Sequence, residues 1–213
     1  MNKQTPQNIL LRLCVILHLT IASIAMAYGQ TSIDDKLSQA DQVATSDPEL
    51  FASLLQEIKR NDKQLSTQQQ HLLDFLVAQQ LIFHSEYQAA IVSIKSIINS
   101  NANTLLKFRA KLSLINIFTE THNWPEGLSY LSSVLTDLPS IDNEAVYQQG
   151  LVTSATFYNQ LGQFQLGLDT AKRLASLNTN ADMQCVAKML MLESSFKLGQ
   201  LLANDPSIQS AIN

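Results

Sequence analysis

One spacing recurs along this chain, and few folds can accommodate it. From Tyr87, the apolar residues Ile91, Ile94, Ile97 and Ile98 follow at offsets of 4, 7, 10 and 11. From Trp124 the same offsets reach Leu128, Leu131, Val134 and Leu135, and from Phe164 they reach Leu168, Ala171, Leu174 and Ala175. Such offsets trace one stripe of a helix with about 3.6 residues per turn. A small residue stands three positions after each start, at Ala90, Gly127 and Gly167. The pattern weakens outward. From Leu201 it reaches Asp205, Ile208, Ala211 and Ile212, and from Phe51 it reaches Leu55 and Ile58 before failing at Asn61 and Asp62. The five starts are 36, 37, 40 and 37 residues apart.

A second helical pattern precedes each stripe. Leu72, Phe75, Leu76, Ile82 and Phe83 form the first. Leu105, Phe108, Leu112, Ile115 and Phe118 form the next, followed by Val152, Ala155, Tyr158 and Leu161, then Val186, Met189, Leu190 and Phe196. Within a pair the breaks are short, at 84–86, 121–123, Gly162-Gln163 and Gly199-Gln200, and a Gly just past a helix accepts the left-handed conformation that closes it. Between pairs the breaks are polar, at 99–101, 139–143 and 178–180, while Asp47-Pro48 and Asp205-Pro206 read as an N-cap followed by Pro at the first helical position. With only six Gly and five Pro, the composition favours helices over many short strands. The expected fold is therefore all-α, with helix–turn–helix units of about 37 residues stacked into an α-solenoid, because neither helix of such a pair buries its apolar face alone. The clearest units are expected near 67–100, 104–138 and 143–178, with a partial unit at 181–213 and a weak first pair at 33–60. A single up-and-down bundle is the competing arrangement. Agreement of three copies at five apolar offsets and one small position favours the stack.

The N-terminus has a different character. Lys3 and Arg12 precede an apolar stretch over 13–27, broken only by His18, Thr20 and Ser23 and ending in Ala25-Met26-Ala27. This reads as a secretory signal peptide over 1–27, cleaved after Ala27, and it is short for a membrane span of about 20 residues. The domain expected to remain is 28–213, exported to the periplasm. The formal charge of −4 becomes −6 once Lys3 and Arg12 are removed (−4 − 2), and no basic stripe invites nucleic acid. No second apolar run of membrane-spanning length follows, so stable membrane insertion of the exported chain is not expected. Cys185 is the one cysteine kept, and its apolar neighbours Val186, Met189 and Leu190 read it as a buried small residue.

Three segments, 83–98, 118–135 and 158–175, resemble tetratricopeptide repeats. The resemblance is carried by a turn, an aromatic after it, then a small and an aliphatic residue: Tyr87, Ala90, Ile91; Trp124, Gly127, Leu128; Phe164, Gly167, Leu168. Pro139 matches that family's Pro after the second helix, whereas Ala102 and Thr179 do not. The family's small first-helix residue falls on Ala78 and Ala155 but on the bulkier Ile115. A signal peptide followed by divergent Gln- and Ser-rich helical repeats is also similar to the periplasmic sensory half of bacterial membrane-bound GGDEF diguanylate cyclases. That resemblance implies a truncated sensor half as the alternative to a self-standing binding module.

No catalytic grouping emerges, so the chain is expected not to be an enzyme and to need no cofactor and no metal. Its histidines lack metal spacing, and no phosphate-cradling loop or nucleophile elbow occurs. His84 and His122 read as solvated turn residues, Tyr87 and Trp124 as core, and Asp34, Asp35 and Asp41 as a solvated helix face. The expected function is protein or peptide binding in the groove lined by the first helices, with signal sensing as the role such binding would serve. Polar candidates on those helices are Gln79, Gln80, Lys107, Lys111, Asn116, Gln148, Gln149 and Asn159. Mass spectrometry of the exported product is expected to find Tyr28 as its first residue; a product retaining 1–27 would show an uncleaved anchor instead.

Overall fold

The computed structural model describes residues 32–60, 65–177 and 179–201. The readings placed on the signal segment, on Asn61 and Asp62, on Asn178 and on the stripe from Asp205 to Ile212 lie outside these residues. Among the described residues the chain is all-helical: α1 (Ile33–Val43), α2 (Pro48–Arg60), α3 (Thr67–Phe83), α4 (Tyr87–Asn99), α5 (Thr104–Glu120), α6 (Trp124–Asp137), a 3-10 turn (Leu138–Ser140), α7 (Glu144–Gln160), α8 (Phe164–Ala175) and α9 (Ala181–Lys197).

The helix boundaries follow from local chemistry. Every odd-numbered helix starts on a side-chain cap. Ser32 and Ser66 form capping boxes with Asp35 and Gln69, while Asn103, Asn143 and Asn180 accept from the backbone N–H groups of Leu106, Val146 and Met183 at 2.8–3.0 Å. At α2 the Asp47 carboxylate accepts from Leu50 N–H at 3.0 Å and Pro48 takes the first helical position. Helices α4, α6 and α8 start without a side-chain cap because each follows a tight turn that closes the helix before it. In that turn one residue takes a positive φ: Ser85 at 60°, His122 at 55°, Gly162 at 79°, and after α9 Gly199 at 68°. The next backbone N–H reaches back five residues, as in Glu86 to Leu81 O at 2.8 Å and Gln200 to Ser195 O at 2.9 Å. This is the Schellman closure, which satisfies carbonyls that the helix end would leave unpaired.

Consecutive helices pack on one another, and each odd-numbered helix also touches the next odd-numbered one: α1 with α3, α3 with α5, α5 with α7, α7 with α9. The odd helices therefore have neighbours on two sides, and their sequences reflect it. Helix α5 buries nine residues, against three each for α4 and α6. Leu106, Ala110, Leu114, Ile117 and Phe118 join the apolar cluster built with α1–α4, while Phe108, Leu112 and Ile115 join the cluster built with α6–α9. Each fully buried Leu, Ile or Phe stabilises the fold by roughly 1.5–3 kcal/mol relative to exposure, so α5 is the densest single contributor.

Several apolar positions face water instead of the core. The even helices bury the small residue and the positions at offsets 7 and 10, as in Gly127, Leu131 and Val134. Leu128 and Leu135, at offsets 4 and 11, are 43% and 37% exposed, so the buried stripe of α6 is narrower than its apolar one. Phe83 ends α3 exposed. On α9 only Ala187, Leu190 and Ser194 are buried, and Cys185, Met189 and Phe196 lie exposed. The expectation of a buried Cys185 is thereby corrected. Apolar periodicity marks a face, but only the presence of a neighbour buries it.

The glycines at the heads of α6 and α8 have a steric cause. A Cβ on Gly127 would sit 2.4 Å from Cε2 of Phe157, a ring with no exposed surface, and one on Gly167 would sit 2.1 Å from Oδ1 of Asn159. Gly127→Ala gains about 1 kcal/mol of helix propensity but must displace a locked ring at a cost of about 1–3 kcal/mol. The expected outcome is a lower urea midpoint with unchanged m-value; a raised midpoint would show that the Phe157 ring yields to the added methyl at little cost.

Candidate functional site

A groove of about 350 Å³ opens where the odd helices α1, α3 and α5 run side by side. Its floor is apolar, from Leu37 and Leu106, both buried, and Leu72 and Leu105, both half-buried. Its walls are polar: Asp34, Ser38 and Asp41 from α1, Gln68 and Gln69 from α3, and Asn103 and Arg109 from the start of α5. The size and the mix of apolar floor with few polar groups are those of a ligand cleft.

The walls are ordered by their own hydrogen bonds. Arg109 donates to both oxygens of Asp41, at 2.9 and 2.5 Å, and its guanidinium lies 4.7 Å from the centre of the Phe75 ring. The pair spans 68 residues of sequence and ties α1 to α5 across α3. Bidentate geometry and stacking make it stronger than an ordinary surface ion pair, although about a quarter of each side chain remains exposed. Gln69 donates to Asp34 Oδ1 at 2.7 Å, and Gln68 donates to the Asn101 carbonyl at 3.3 Å. Asn103 is committed through Oδ1 to capping α5. Behind the groove, Lys36 pairs with Glu57 at 2.7 Å and fixes α1 on α2.

None of the eight polar candidates from the sequence lines this groove. Gln79 is half-buried and donates to Ser113 Oγ at 2.8 Å, linking α3 to α5. Gln80 and Lys107 are half-buried, and Asn116 and Gln149 are exposed on α5 and α7. Lys111 turns toward α6, where it pairs with Asp137 at 2.6 Å and donates to Ser133 at 2.8 Å. Gln148 and Asn159, offered by the sequence as binding candidates, are buried. Gln148 donates to Glu144 one turn back. Asn159 donates to Glu193 at 3.1 Å and accepts from the Ser194 hydroxyl at 2.8 Å, so it belongs to a polar seam between α7 and α9. Asp34 and Asp41, read from sequence as a solvated face, are the acidic residues that the fold builds into the groove. The only advance sign was Arg109 itself, a charge one turn after Leu105 and one residue after the core ring Phe108.

The remaining titratable groups are dispersed. His84 and His122 are exposed in their turns, and His122 packs edge-on to Trp124 at 5.3 Å. Trp124 is half-buried and meets Phe157 edge-on at 5.9 Å, and Tyr87 packs half-buried against the first cluster. His71 Nδ1 is buried without a hydrogen-bond partner among the described residues. Burial raises the Tyr158 phenol above its ordinary pKa. Among the described residues no group of three or more His, Cys, Asp or Glu could hold a metal ion, and no helix is long and apolar enough to cross a membrane. Compared with protein-family models, curated proteins and solved structures, the chain matches none.

The Arg109–Asp41 pair is expected to anchor the α1–α2 hairpin. A double-mutant cycle of Arg109→Ala and Asp41→Ala should return a coupling of about 1–2 kcal/mol, from a partly buried bidentate pair. Hydrogen exchange should quicken first within 33–60; a coupling near zero with uniform exchange would remove this anchoring role.

Proposed function

We propose that this chain is a non-catalytic, TPR-like helical repeat module, exported to the periplasm, that binds a protein or peptide in the groove lined by its odd helices. The observation that carries the reading is the groove across α1, α3 and α5. An extended chain laid there meets leucines beneath it and amides, a hydroxyl and carboxylates at its sides, which suits alternating side-chain and backbone recognition. The contacts of each odd helix with the next support stacking of like units, and a stacked array of helix pairs offers such a surface on its concave side.

A second reading, the sensory half of a membrane-bound GGDEF diguanylate cyclase, draws on α9. There Cys185, Met189 and Phe196 leave apolar surface open, as a module that passes a signal to further protein would require.

Site-specific photo-crosslinking in the cell envelope tests the binding reading. A benzophenone side chain in place of Ser38 or Leu105 should yield adducts with one recurrent partner identified by mass spectrometry. The same group at Lys59, on the exposed side of α2, should yield none. Adducts absent at both groove positions, in folded protein, would count against the groove as the binding surface.

A further inference from the structure

We propose that the groove prefers a peptide segment carrying a lysine or arginine flanked by aliphatic residues; this rests on the binding reading above. The charged groups lining the groove are Asp34, Asp41 and Arg109. Asp41 and Arg109 satisfy each other bidentately, and Phe75 covers the guanidinium face. The carboxylate left over is Asp34, which among the described residues accepts only a neutral amide, that of Gln69. Lys36, two residues along α1, is held by Glu57 at 2.7 Å. The lining therefore carries one solvent-exposed carboxylate that is paired with no cation, beside a leucine floor.

A ligand cation on an aliphatic stem answers both features. Its methylenes lie on Leu37, Leu72 and Leu105, and its head reaches Asp34, in the manner of long basic side chains that cover apolar surface while keeping their charge wet. An acidic ligand fares worse. It would have to displace Asp41 from a bidentate, stacked guanidinium while lying near the Asp34 charge. A neutral polar ligand leaves Asp34 without a cation.

The test uses residues 28–213 and three fluorescent peptides with the same alternating leucine–glutamine sequence, differing only at one central position: lysine, glutamine or glutamate. Anisotropy titrations at low and moderate salt give the affinities. The lysine peptide is expected to bind about 5- to 10-fold more tightly than the glutamine peptide, with the glutamate peptide weakest, and added salt should narrow the gap. Asp34→Asn should bring the lysine and glutamine peptides to within about twofold of each other by lowering only the lysine affinity. Asp142→Asn removes an equal charge from the segment between α6 and α7 and should leave the preference intact. Equal binding of lysine and glutamine peptides, or a preference that survives Asp34→Asn, overturns the cation preference while leaving peptide binding in place. Tightest binding of the glutamate peptide overturns it in favour of Arg109 as the recognising group. Failure of all three peptides to bind overturns this inference and the groove reading together.

Discussion

The packing of the odd-numbered helices on both their sides is the constraint on which the rest of the structure depends. Helix α5 shows it most fully, since one set of its side chains closes the cluster toward α1 and another closes the cluster toward α9. A helix buried on two faces cannot form a stable element alone in water, and it also cannot end an array without leaving apolar surface behind. Helices α4, α6 and α8, buried on one side, cover the odd layer and contribute three or four buried residues each. This division of labour explains the two sequence patterns: a clean single stripe on the even helices and a broader, less directional apolar pattern on the odd ones.

Close approach between neighbouring units is set by small residues and tuned by what faces them. Gly127 admits the Phe157 ring, so the contact there is apolar. Gly167 instead faces Asn159 and the Ser194 hydroxyl, and the same junction one unit later is polar, completed by Glu193. A buried amide with both ends bonded tolerates little displacement, because a slip would leave a donor or acceptor unpaired in a low-dielectric interior. The α7–α9 seam is thus specified in register by hydrogen bonds, while the α6–α7 contact at Gly127 is specified by shape. A single spacing rule in the sequence conceals this change of chemistry.

The groove arises from residues that are far apart in the chain. Asp34 and Asp41 come from the first described helix, Gln69 from the third and Arg109 from the fifth. Nothing local links them: each residue on its own helix is an ordinary polar side chain one or two turns from a leucine. The sequence candidates lie on α3, α5 and α7, and the polar residues of the odd helices divide three ways. Some lock helix to helix, as Gln79, Lys111 and Asn159 do. Others stay exposed, as Asn116 and Gln149 do, and a third group, not among the candidates, lines the cleft.

Sequence alone determined the helical class, because the apolar offsets admit no strand period. It also determined the chemistry at helix starts, because Ser, Asn and Asp-Pro act on the backbone within three residues of themselves. The turns within pairs were visible as breaks at Gly162 and Gly199, but Ser85 and His122 take the same left-handed position without the residue type that advertises it. Tertiary structure decided which apolar faces are covered, so that Leu131 is core while Leu128 and Met189 meet solvent. It also decided which acids and bases meet, since Asp41 finds Arg109 only once α1, α3 and α5 lie side by side. The physical reason is range: capping and periodicity act over one or two turns of a single helix, whereas burial and ion pairing depend on neighbours that the chain supplies from tens of residues away.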